Sequence, residues 1–393
     1  MKYWGIRLII ILIFWQPGLK SAAQGSSPKG AISIHFVPQK IASESFESVG
    51  VFDVNGDSKP DLVSGSFWYE GPSFVKRHYI GEVKRYEEYW DDFSTIPLDV
   101  NGDGRLDFIT GSWWSGSLRW MENPGKDTAW TPHVFAKTGA IETTRGWDVD
   151  GDSTIEVCPN NPGAKLKFYK LQKGASGKGN GTFTEVLVAD KQDHGLGFGD
   201  INGDGRGDFI ISTGWLEAPK DPLTQKWSLH EEFSLGTASV PVIVADVNRD
   251  GLNDLIAGQG HDYGLWWYEQ KKGTSSKRTW VKHPIDPFSS QYHTMEWVDI
   301  DNDGKEELIT GKRYRAHNDK DPGAGDFYGL YCFKWNGASF TRHTITYGPF
   351  GIGKGTGIFF RVEDLRGTGR KDIIVAGKDG LYVFYNEGKS LAH

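Results

Sequence analysis

Asp99-Val100-Asn101-Gly102-Asp103-Gly104-Arg105-Leu106-Asp107-Phe108-Ile109-Thr110-Gly111 is the stretch whose reading decides the fold. Counted from Asp99, side-chain oxygens stand at positions 1, 3, 5 and 9. Glycines at 4 and 6 permit tight winding, and a β-prone apolar run follows. The same unit recurs along the chain, with loops beginning at Asp53, Asp99, Asp148, Asp200, Asp246, Asp299 and Asp364. Successive first positions are 46, 49, 52, 46, 53 and 65 residues apart. Each interval holds about four short strands, which is one blade of a propeller. The expected fold is therefore all-β, a seven-bladed β-propeller.

The other strands repeat as well. A third strand carries aromatics, as in Phe67-Trp68-Tyr69-Glu70 and Leu265-Trp266-Trp267-Tyr268-Glu269. A fourth carries a histidine in five repeats, namely His78, His133, His230, His283 and His343. A residue that recurs once per blade on an outer strand has the same packing task in each, so these histidines cannot converge on one ion. The seventh repeat stops after its third strand, and Ile32-Ser33-Ile34-His35-Phe36 has the fourth-strand pattern. The N-terminal strand is expected to complete the last blade and so remove the open sheet edges.

Residues 1–23 read as a secretory signal peptide: Lys2 and Arg7, an apolar run from Leu8 to Trp15, then Ser21-Ala22-Ala23. The apolar run is too short to span a bilayer, and no other long one exists. Residues 24–393 are expected to form the propeller, secreted or periplasmic. A formal net charge of −7 over 393 residues offers no general attraction for nucleic acid. The two cysteines, Cys158 and Cys332, read as small core residues rather than a disulfide scaffold.

Calcium takes six to eight hard oxygen ligands, and the acidic loops offer them at a fixed spacing. Six are expected to bind it: Asp53, Asn55, Asp57, Asp61; Asp99, Asn101, Asp103, Asp107; Asp148, Asp150, Asp152, Glu156; Asp200, Asn202, Asp204, Asp208; Asp246, Asn248, Asp250, Asp254; and Asp299, Asp301, Asp303, Glu307. The seventh puts Arg366 where a ligand should be and is expected to bind none. The Asp-x-Asn/Asp-x-Asp-Gly-x-x-Asp pattern with its following strand resembles the FG-GAP/VCBS repeat family, which implies the fold far better than any activity.

Calcium loops joining first to second strands lie on one face. Residues that do not repeat are then candidates for function on the other. Six positions before each loop stand Glu47, Phe93, Glu142, His194, Val240, His293 and Ile358, at the channel mouth. The connections between second and third strands add His261, and Lys312, Arg313, Tyr314, Arg315 and His317. Candidate catalytic residues are His194, His293, Glu142, His261, Arg313 and His317. Such side chains can hold a transition metal such as Zn2+ or exchange protons, and the basic stretch can neutralise an enolate or carboxylate. Trp90, Trp113, Trp114 and Trp215 are candidates for stacking on sugar rings.

Residues 194–200, 290–293, 311–318 and 353–357 resemble the propeller part of aldos-2-ulose dehydratases. That resemblance implies metal-assisted loss of water from a keto-sugar, so the expected activity is a carbon–oxygen lyase on a keto-sugar or sugar polymer. The competing reading is a non-catalytic propeller that binds carbohydrate or protein.

Overall fold

The computed structural model describes residues 34–273 and 278–389. The expected leader lies outside them. Strands are ordered A to D from the axis outward, and each of the first six blades is one contiguous stretch of chain. Blade 1, for example, comprises Gly50–Phe52, Asp61–Ser64, Phe67–Tyr69 and Arg77–Tyr79. Blade 7 takes Arg361–Glu363, Asp372–Val375 and Leu381–Lys389 from the C-terminus and Ile34–Ala42 from the N-terminus. The two ends pair antiparallel, with Phe36 opposite Asn386 and Lys40 opposite Tyr382. The N-terminal strand thus completes the last blade, as expected, and runs on to Ala42.

The A strands line the axis. Parallel bridges join neighbouring ones, Gly197 to Val242 and Ser48 to Phe359. The backbones come so close that a Cβ on Gly197 would lie 2.5 Å from the Val242 carbonyl oxygen, so only glycine fits there.

The core consists of seven wedges, each filled by two adjacent sheets. Phe168 of blade 3 packs with Phe209 of blade 4, and Leu265 of blade 5 with Phe333 of blade 6. Cys158 and Cys332 are buried, free thiols in two of these wedges, as expected. The repeated histidines also pack. His78, His133, His230 and His283 each stack on a third-strand Trp, with ring centroids 3.9 to 4.5 Å apart. Their Nε2 atoms bond Glu70, Glu122, Glu217 and Glu269 of the same strands. Among the described residues no helix is long and apolar enough to cross a membrane.

Deleting Ile34–Ala42 should leave strand Leu381–Lys389 as a bare edge. The expected outcome is a lower Tm and soluble aggregates on gel filtration. A monomer melting like the full chain would mean that blade 7 closes without its outer strand.

Candidate metal centre

The acidic loops show what each repeated position does. The carboxylate at position 9 is fully buried and acts as a clamp. Asp107 accepts the Val100 N–H (3.0 Å) on one oxygen and the Asn123 N–H (2.8 Å) on the other. Asp61, Asp208 and Asp254 do the same in their blades. Burial, with neighbouring loop aspartates, pushes Asp107, Asp208 and Asp254 up to about 6.

Blades 3 and 6 are built differently. Position 9 is Glu, one methylene longer, and the third strand carries Lys where four other blades carry Glu. The Lys170 ammonium lies 2.7 Å from Asp150, 2.9 Å from Asp152 and 2.9 Å from Glu156. Lys334 lies equally close to Asp301, Asp303 and Glu307. In both blades an ammonium occupies the place among the oxygens expected to ligate calcium. In blade 7, Arg366 pairs with Asp372 and Glu387.

On the opposite face the non-repeating residues meet. Glu142, His194 and His293 come from positions next to the A strands of blades 3, 4 and 6, and His261 from the turn between strands B and C of blade 5. One ligand atom from each lies within 4.8 Å of all the others. His261 Nε2 is 2.9 Å from His194 Nε2, and His293 Nε2 is 2.8 Å from Glu142 Oε1. Outer contacts fix two rings: His194 Nδ1 donates to the Ala238 carbonyl (2.8 Å) and His261 Nδ1 to Asp321 (3.0 Å). The backbone passes close at Gly260, where a Cβ would lie 3.0 Å from the His194 ring.

Electrostatics favour an ionised Glu142 beside His261 and His293, which resist protonation. Burial acts to raise Glu142, yet its contacts with His194 and His293 hold it well below the usual carboxylate range. Burial drives His293 well below its ordinary value. Burial and the neighbouring His194 lower His261 to about 4.

His317 stands beside the cluster. Its ring stacks on His261 at 4.3 Å, and its Nδ1 bonds Asp321 at 2.9 Å, so Asp321 bridges two histidines. The surrounding loop is strained: Arg315, His317, Asn318 and Asp319 all have φ between 49° and 62°. Contacts with the connection into blade 2 hold it there, through Arg315 to Glu88, Asn318 to Glu87 and the Asn318 N–H to the Tyr89 hydroxyl.

The basic stretch is committed to the protein itself. Arg313 is buried, paired with Glu47 through Nε (2.9 Å) and Nη2 (3.2 Å), and lies 3.5 Å from Glu142. Lys312 is buried against Ser290, Gln291 and the Gly323 carbonyl, and burial lowers it to about 8. Neither is placed to neutralise an enolate directly, so Arg313 positions Glu142 instead. Of the tryptophans, Trp215 is fully buried in a blade wedge, whereas Trp113 and Trp114 are partly exposed and Trp114 stacks on Tyr86. Phe93, Val240 and Ile358 of the expected ring lie in the core. Sequence reasoning missed Asp321, whose signal was only its place in the same connection as His317, and the third-strand lysines, whose signal was the Glu at position 9.

Removing one partner of the buried Glu47–Arg313 pair strands a charge. Glu47→Gln should therefore cost about 3–5 kcal/mol in urea unfolding, and Glu47→Gln with Arg313→Met should recover most of it. Additive losses in the double variant would contradict the coupling.

Residues 231–310 match the family model described as FG-GAP-like repeat. No curated protein matches the chain in sequence. Among solved structures, the chain is similar to BBS1N in complex with ARL6DN at 10% identity and a TM-score of 0.53, covering 91% of this chain and 98% of that one. It is also similar to an Agrocybe aegerita lectin that recognises non-reducing terminal N-acetylglucosamine (14% identity, TM-score 0.46, covering 89% and 92%). A further similarity is to the rhamnogalacturonan lyase YesW (14% identity, TM-score 0.47, covering 92% and 77%). At such identities a likeness speaks for fold alone. The seven closed sheets identify the chain as a seven-bladed β-propeller, and residues 231–310 of it match an FG-GAP-like repeat.

Proposed function

We propose that this is a secreted, carbohydrate-active carbon–oxygen lyase whose reaction centre is a transition-metal ion held at the channel mouth by Glu142, His194, His261 and His293. One observation carries the reading. His194 and His261 both donate their Nδ1–H outward, so in the neutral rings both Nε2 atoms present lone pairs, and these atoms are 2.9 Å apart. Two lone pairs at that distance repel unless a cation lies with them. A shared proton or a metal ion supplies one. Three imidazoles with one carboxylate suit Zn2+ or a similar borderline ion. The Ala238 carbonyl and Asp321 are the outer-shell partners such ligands normally have.

A metal bound there would polarise a substrate carbonyl. The neighbouring protein group able to move a proton is His317, oriented by Asp321, with no hydrogen bond at Nε2 among the described residues. In the proposed step Nε2 takes the proton from the carbon beside the carbonyl. The bond from the next carbon to its oxygen substituent breaks as the C=C forms. The leaving oxygen departs with that proton, and His317 is neutral again. The resemblance to aldos-2-ulose dehydratases supports the same chemistry.

On the other face, the loops at Asp53, Asp99, Asp200 and Asp246 are the proposed calcium sites. In each the third strand brings a further carboxylate, and Asn101, Asn202 and Asn248 bond it directly. The loops at Asp148 and Asp299 carry a lysine in place of the ion.

Two measurements test this. Wild type should carry one transition-metal ion per chain and four calcium ions. His293→Ala should lose the first alone, and Asp321→Asn should bind it about 10- to 100-fold more weakly. Six calcium ions would mean that Lys170 and Lys334 yield to the metal. In a screen of keto-sugars and uronate polymers, wild type should form an unsaturated product and His317→Ala should form at least 100-fold less, in keeping with loss of a proton-transfer group. A metal-free wild type with no turnover would refute the lyase.

A further inference from the structure

Among the described residues, eight large apolar side chains are more than half exposed, and five of them cluster on the face of the metal centre: Phe288 (84%), Phe327 (51%), Tyr347 (56%), Phe350 (61%) and Ile352 (74%). They come from the end of blade 5, the connection between strands B and C of blade 6, the end of strand D of blade 6, and the connection from blade 6 to blade 7. Phe327 and Tyr347 stand 5.7 Å apart at 64°, and Phe350 stacks on Tyr314 at 5.5 Å. Phe288, Phe327 and Tyr347 wall a cavity of about 380 Å³ whose other lining is polar: Ser289, Ser290, Lys312 and Asp326.

From this cavity to the reaction centre runs a short chain of hydrogen bonds. Lys312 bonds Gln291 (2.5 Å), Gln291 lies 3.5 Å from Asp321, and Asp321 holds His261 and His317. The aromatic shelf and the metal centre are thus linked through Lys312, Gln291 and Asp321. Exposed aromatic surface of this extent calls for a partner. A buried protein interface depletes charge from its centre, whereas the exposed Asp326 sits within this one. Flat rings beside hydroxyl and carboxylate groups match a pyranose, which has an apolar C–H face and a polar edge. Aromatic walls also lose little conformational entropy on binding.

We infer that the shelf formed by Phe288, Phe327 and Tyr347 binds further sugar units of a glycan chain whose reacting unit sits at the metal centre. The substrate is thus a polysaccharide or oligosaccharide rather than a free monosaccharide. This inference rests on the lyase reading for the site itself.

The test is native electrophoresis of the full chain through gels cast with polygalacturonate, alginate or xylan, alongside metal analysis and gel filtration. Wild type should be retarded by at least one polymer. The triple variant Phe288→Ala, Phe327→Ala, Tyr347→Ala should bind that polymer at least ten-fold more weakly while keeping its metal. His293→Ala should lose metal and stay retarded. No retardation of wild type by any of the three, or full retardation of the triple variant, would overturn the inference. A wild-type dimer that the triple variant converts to monomer would also overturn it, because the shelf would then be a contact between copies. Retardation by a wild type that holds no metal would refute the lyase and leave the shelf standing.

Discussion

Seven sheets close into a ring only if their innermost strands approach with almost nothing between them. At Gly197 the Val242 carbonyl occupies the space a side chain would need, and a Cβ on Gly357 would likewise lie 2.4 Å from the Glu47 carbonyl oxygen. Width is recovered further out, where aromatic wedges such as Phe168 with Phe209 fill the widening gap between blades. The N-terminal strand shuts the ring by pairing with the C-terminal strand and packing Ile34 and Phe36 into the adjoining wedge, joining chain ends that are otherwise remote in sequence. Everything else inherits this geometry. Each blade repeats its neighbour's structural contacts, and the residues at the axis are brought together from blades far apart in sequence.

That division explains what could be read from the sequence. Repetition made the blade count, the strand order and the packing of the fourth-strand histidines legible, because each signal occurred several times. The convergence of Glu142, His194, His261 and His293 was legible for the opposite reason: each broke the repeat at a position that closure carries to one mouth. The roles of the charged neighbours were not legible. Arg313 has the chemistry to meet a substrate anion, but its partner Glu47 lies 266 residues away, and only the closed ring shows that the pair is buried and bidentate.

The loops give a second example. Asp107 and Glu156 look interchangeable as ninth-position oxygens. Asp107 spends both oxygens on backbone N–H groups from its own loop and the third strand. Glu156 takes the loop N–H of Val149 on one oxygen and gives the other to Lys170. The extra methylene therefore travels with a change of sign on the adjacent strand, and the same holds for Glu307 with Lys334. A loop-only comparison cannot see this, because the compensating residue lies about fourteen positions farther along the chain, as Lys170 does from Glu156.

The same reasoning separates the two faces physically. On the loop face the clustered carboxylates face solvent at positions 1 and 5, so an ion or a lysine can neutralise them at modest desolvation cost. At the channel mouth Glu142, His293 and Arg313 are buried, and a charge there persists only with a fixed partner. Arg313 shares itself between Glu47 and Glu142, which leaves Glu142 incompletely neutralised and faced by three imidazoles, two of which, His261 and His293, burial keeps from protonating. A residual negative charge surrounded by neutral nitrogen donors is an environment that attracts a soft or borderline cation more strongly than calcium. The two ends of one propeller thus differ in burial and donor type, although the same strands supply both, and the metals proposed for them follow that difference.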